Sequence, residues 1–215
     1  MIANSFIRVF LPLFLIFIVA LSQTAFAKER SSAQTIVILG DSLSAGYGLL
    51  EKESWPHLLQ QSFALDNKPY KIINASVSGE TTRGGLLRLQ GIISTHKPDW
   101  VLIELGGNDG LRGFNPSIPR KNLRNILLML RKEKVKAALV QIRLPRNYGN
   151  RYLRLFEDIY PALAKEFSVP LIPFFMDGVA QNADLMQQDG IHPNKKAQPV
   201  IQKFMKKEIE KLFAM

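Results

Sequence analysis

The chain has 215 residues, a formal net charge of +10 and no cysteine. Without cysteine there are no disulfides, no thiolate nucleophile and no cysteine-ligated metal. The basic excess comes without an aromatic-basic motif of the kind that reads nucleic acid, so nucleic-acid binding is not expected.

Residues 1–27 read as an export leader. Arg8 supplies a positive start, Val9 to Leu21 is apolar apart from Pro12, and Ala25-Phe26-Ala27 offers a small-x-small cleavage site. The alternative is an uncleaved anchor, but Ser22-Gln23-Thr24 interrupts the run and the span is short for a bilayer. The expectation is cleavage after Ala27, a periplasmic location and one domain over residues 28–215.

Thr35-Ile36-Val37-Ile38-Leu39 is a continuously apolar, β-branched run that ends at Gly40, the pattern of a buried parallel strand. Similar runs follow at 71–74, 100–105, 137–142 and 169–173. Helical periodicity separates them. Ser54 and Pro56 open a helix that runs to about Leu65. Leu86, Leu89, Ile92 and Ile93 mark a second, and Leu123, Ile126, Leu127 and Leu130 a third. A fourth carries Tyr152, Leu155, Phe156, Ile159 and Leu163, with a bend expected at Pro161. Ile201, Phe204, Met205 and Leu212 trace the last. Alternation of this kind predicts an α/β fold with a parallel sheet covered on both faces, whose ligands bind beyond the carboxyl ends of the strands.

Three polar strings fall at such ends. Gly40-Asp41-Ser42-Leu43-Ser44 follows the first strand, Ser78-Gly79 the second, and Gly106-Gly107-Asn108-Asp109 the third. Ser42 is a candidate nucleophile, which needs a base within hydrogen-bonding reach. It could instead cap a helix, a role that Asp41 is equally able to take. Ser44 stands where a Gly-x-Ser-x-Gly elbow would have its second glycine, so a different serine-hydrolase fold is indicated. No Gly-Lys-Ser/Thr follows, which argues against a phosphate-binding loop.

The base follows by elimination among three histidines. His57 sits in a helix's first turn and His96 at a helix end, whereas His192 lies in a Gly/Pro-bounded loop with Asp189 three positions before it. That spacing lets Asp189 accept from the ring and orient it. A metal site built on the same pair lacks a third ligand, so neither metal nor cofactor is expected. The backbone amides of Ser42 and Gly79 and the side-chain amide of Asn108 are candidate oxyanion donors. Asp109 is expected to hold its own loop through backbone hydrogen bonds. Leu111, Phe114, Ile142, Leu144, Pro145, Tyr148 and Ile191 lie in or beside loops on the same edge and could form an acyl groove.

These four blocks together resemble the SGNH, or GDSL, hydrolase family, across essentially the whole chain beyond residue 27. The wider strings at 40–47, 104–114, 141–145 and 147–149 are similar to those of its exported thioesterase and lysophospholipase members. The resemblance implies a flavodoxin-like three-layer α/β/α fold around a mostly parallel five-stranded sheet. It implies a catalytic triad of Ser42, Asp189 and His192, an oxyanion hole of Ser42, Gly79 and Asn108, and acyl contacts at Leu111, Ile142, Pro145, Tyr148 and Ile191. It further implies that Glu80 to Gly84 closes over substrate. The function expected is hydrolysis of acyl esters and thioesters through an acyl-serine, by a monomer acting on a small-molecule substrate. The rivals are a carbohydrate acetylesterase of the same family and a non-catalytic lipid carrier. Residues 120–154 hold eleven Lys/Arg against Glu133 alone, which suits either an anionic membrane surface or a solvated face.

Overall fold

The structure, a computed structural model, describes residues 33–214; the expected leader and its cleavage site lie outside the described residues. In chain order the elements are β1 (Gln34–Gly40), α1 (Ser42–Ala45), α2 (Trp55–Leu65), β2 (Tyr70–Asn74), α3 (Thr82–His96), β3 (Trp100–Glu104) and α4 (Gly107–Leu111). There follow α5 (Ser117–Lys132), β4 (Lys136–Val140), α6 (Asn150–Glu157), α7 (Ile159–Phe167), β5 (Leu171–Ile172) and α8 (Gln198–Phe213).

Five strands form one parallel sheet in the order β2-β1-β3-β4-β5. Alternation along each strand splits the core into two layers. Val37, Leu39, Val101, Ile103 and Leu139 face one way, against Leu89 of α3, Leu123 of α5 and Leu163 of α7. Ile36, Ile38, Leu102, Ala138 and Val140 face the other, against Leu59 of α2 and Ile201 of α8. Each fully buried large side chain contributes about 1.5–3 kcal/mol over an exposed one. A domain without disulfides is therefore held by these two layers.

Two elements depart from the sequence expectation. The fourth helix is broken into α6 and α7 at Asp158. The break places Pro161 in the first turn of α7, where its missing N–H costs no intrahelical bond. β5 is only two residues long, because Pro170 and Pro173 flank it and cannot donate to a ladder.

The strand order reverses at β1: the chain leaves it to one side for β2 and returns on the other as β3. In doubly wound sheets the crevice beyond the strand ends at that reversal is where ligands bind. Gly40 and Glu104 are register partners there, the last residues of β1 and β3. The two segments that continue from them carry Ser42 and Asn108.

Candidate active site

Asp41 begins the site. Its Oδ1 accepts the Leu43 amide at 3.1 Å and caps α1, so the cap role falls to Asp41 and the Ser42 hydroxyl is left free. That hydroxyl lies 2.9 Å from His192 Nε2. His192 Nδ1 lies 2.6 Å from Asp189 Oδ2. The other carboxylate oxygen, Oδ1, accepts the amides of Ile191 and His192 at 2.9 and 3.0 Å. Gly190, at φ +66, gives the loop the left-handed turn that folds it around the acid. Burial works upward on the Asp189 carboxyl, but the His192 amide, the imidazole and the Ile191 amide outweigh it and hold it at about 2. Asp189 is thus an anion at any pH near neutrality. It fixes a proton on Nδ1 and leaves Nε2 able to accept one from Ser42.

Asn108 stands on the first turn of α4, reached through Gly106. That glycine has φ +120, and a Cβ there would run into the Tyr160 hydroxyl. The Asn108 side-chain amide donates to the Glu80 carbonyl at 3.0 Å and to Asp41 Oδ2 at 3.3 Å. The longer bond is the one a developing oxyanion can displace most readily. Gly79 sits at an exposed turn with φ +79. Its carbonyl accepts Arg112 Nη2 at 3.2 Å, and its amide has no hydrogen-bond partner among the described residues.

A groove of about 960 Å³ opens beside Ser42, Asn108 and His192. Leu111, Ile142, Leu144, Pro145 and Ile191 contribute its apolar wall, and an Arg143–Asp177 ion pair at 3.2 Å lies on its lining. Tyr148 is not on that wall. Its hydroxyl donates to the Leu111 carbonyl at 2.7 Å, so it braces the wall from outside. Gly79 and Phe114 also lie outside the groove lining. The segment expected to close over substrate is anchored at two points. Glu80 is ion-paired to Arg88 at 2.6 Å, and Thr82 to Gly84 form the first turn of α3.

Asp109 has a different task from the one expected. Its carboxylate accepts the Thr82 amide at 2.8 Å and the Thr82 hydroxyl at 2.6 Å, pinning the start of α3 rather than its own loop.

Glu104 is missing from the sequence reading altogether. It is buried, its Oε2 accepts the Ser44 hydroxyl at 2.7 Å and the Asp41 amide at 3.3 Å, and its Oε1 has no partner among the described residues. A Cβ at Gly40 would come within 2.6 Å of Oε2, so the glycine makes room for the acid. Burial, reinforced by nearby Asp41, raises the Glu104 carboxyl well above its usual range. Burial likewise lifts Asp41 to about 6, against the opposing pull of the Leu43 amide, His192 and Asn108. The one signal for Glu104 was an acid inside an otherwise apolar strand run.

The chain matches the GDSL-like lipase/acylhydrolase family over residues 38–198. It is 49% identical over 184 residues to the thioesterase 1/protease 1/lysophospholipase L1 of Escherichia coli K12, covering 86% of this chain and 87% of that one. An arylesterase of Vibrio mimicus is 43% identical over 180 residues, covering 84% and 90%. Among solved structures, the psychrotrophic esterase EstA of a Pseudoalteromonas species, inhibited by monoethylphosphonate, superposes with a TM-score of 0.83 at 42% identity, covering 85% of this chain and all of that one. Sequence likeness over most of the chain and a shared fold lead to one conclusion: this protein is a member of the GDSL-like lipase/acylhydrolase family.

Proposed function

We propose that this chain is a periplasmic serine hydrolase that cleaves fatty-acyl esters and thioesters through an acyl-Ser42 intermediate, with Asp189 and His192 completing the triad. The observation that carries the reading is the unbroken chain of contacts from Asp189 through His192 to Ser42, at 2.6 and 2.9 Å. His192 Nε2 takes the Ser42 proton as Oγ attacks the acyl carbon. The Asn108 amide and the backbone amides of Ser42 and Gly79 hold the oxyanion. Collapse expels the thiol or alcohol, which takes the proton from His192. Water then attacks the acyl-enzyme, gives its proton to the same nitrogen, and releases the fatty acid with Ser42 restored. The apolar wall of Leu111, Ile142, Pro145 and Ile191 takes the acyl chain, and this distinguishes the reading from acetyl-sugar hydrolysis.

Lysophospholipids are the substrates a periplasmic enzyme meets, whereas acyl-CoA is cytosolic. Leu50, Val77, Phe114 and Ile191 stand exposed on loops at the mouth, and the net charge of +10 suits contact with anionic lipid. The enzyme works there as a monomer. Ser42→Ala should abolish turnover of a nitrophenyl ester, and a fluorophosphonate should label the wild type alone. Labelling at another residue would overturn the nucleophile. Co-sedimentation with phosphatidylglycerol vesicles but not phosphatidylcholine vesicles tests the membrane contact, and fractionation of cells tests the location.

A further inference from the structure

Tyr47 and Gln187 take no part in the reaction above, yet they join the Ser42 segment to the His192 loop. Tyr47 reaches both partners. Its amide donates to the Ser42 carbonyl at 3.2 Å, and its ring lies over His192 with centroids 4.4 Å apart and planes inclined by 34°. Gln187 stitches the loops from beneath. Its backbone amide donates to the His192 carbonyl at 2.8 Å, and its side-chain amide donates to the carbonyls of Tyr47 at 2.7 Å and Pro193 at 3.1 Å. The glycine beside Tyr47 is shaped to this contact: Gly48 has φ +75, and a Cβ there would lie 2.6 Å from Gln187 Oε1.

The imidazole needs such support. Its hydrogen bonds to Asp189 and Ser42 engage the two ring nitrogens, and they set the ring's position and reach. Both tolerate a roll of the ring about the line joining those nitrogens. Only a contact against the face opposes that roll, and Tyr47 supplies it. The same face matters when the ring becomes positively charged during acyl transfer, because an aromatic face within about 6 Å attracts a cation. The charged groups around the ring are Asp189 on its own loop and Asp41 at the start of α1.

We propose that Tyr47 and Gln187 are positioning residues: Tyr47 fixes the roll of the base and stabilises its cationic form, and Gln187 sets the spacing between the two loops. This rests on the reading of His192 as the base.

Tyr47→Phe, Tyr47→Leu, Tyr47→Trp and Gln187→Ala should be compared with wild type on a soluble nitrophenyl ester across pH, together with an NMR titration of the His192 ring. Tyr47→Phe should match wild type within about twofold, since the ring is kept. Tyr47→Leu should lose about tenfold in kcat with KM little changed, from misplacement of the base. Its ring titration and the acid limb of kcat/KM should both move down by about half a pH unit. Tyr47→Trp, with a stronger π face, should move the titration upward, and it reports even if the leucine variant does not fold. Gln187→Ala should lower kcat by about tenfold without moving the ring titration.

Wild-type kinetics and titration in Tyr47→Leu would overturn the role of Tyr47, as would equal damage from Tyr47→Phe. Wild-type kcat in Gln187→Ala would overturn the role of Gln187. His192→Ala separates the two levels of the argument. If that variant keeps turnover, the reading of the base fails. If it is inactive while Tyr47→Leu behaves as wild type, only the positioning role fails.

Discussion

Asp41→Asn should remove a pH-dependent cost that the wild-type fold carries. Asp41 holds its proton more tightly in the native state, at about 6, than at its ordinary value of 3.8. Between those values the native state binds more protons than the unfolded chain, so stability falls as pH rises through the window. The cost is absent well below pH 4 and complete above pH 6. A shift of about two units corresponds to on the order of 3 kcal/mol. Asn caps a helix as well as Asp does, and its amide oxygen can still accept from Asn108, so the substitution removes the charge and little else. Urea unfolding of both proteins at several pH values between about 4 and 7.5 measures the difference. The variant should gain on wild type by on the order of 3 kcal/mol across that range. A difference that stays flat within ~0.5 kcal/mol would refute the reasoning. Glu104 faces the same carboxyl, so Asp41→Asn combined with Glu104→Gln gives the share of the effect that the two acids hold jointly.

Asn108→Ala should lower kcat by about 100- to 1000-fold with a small change in KM, measured by steady-state ester hydrolysis. Asp189→Asn should cost on the order of 10⁴-fold in kcat by allowing the wrong ring tautomer. Because the Asp189 carboxyl is held at about 2, the acid limb of the wild-type profile should not track this residue; a limb displaced by Asp189→Asn alone, with kcat retained, would contradict its place in the triad. Ile103, fully buried at the centre of the sheet, should cost about 2–5 kcal/mol when changed to Ala, read as a fall in the urea midpoint.

Much of the architecture was legible because parallel strands buried on both faces leave continuous apolar runs, and Thr35 to Leu39 and Trp100 to Leu105 are such runs. Proline positions were visible, but their exact effect was not. Pro161 ends up in a first turn because the helix breaks three residues before it, and the pair Pro170 and Pro173 shortens β5 to two residues. The polar strings at strand ends could be found one at a time, since each interrupts an apolar pattern. Their partners could not. Gln187 looks like any loop residue, and its links to Tyr47 and Pro193 exist only once positions 140 apart meet. Glu104 reads as a flaw in a strand until register sets it beside Gly40. Asp109 carries the same difficulty: its partner Thr82 lies on another helix, out of reach of any local pattern.

The reversal of strand order at β1 also has a temporal consequence. Ser42 is made early and His192 late, and the imidazole cannot meet the hydroxyl until the β-strands between them are in place and α8 has docked over Ile36 and Ile38. A half-finished polypeptide therefore owns a serine without a partner. Hydrolytic power arrives as the final event of assembly, and every earlier form of the molecule is harmless to the lipids around it.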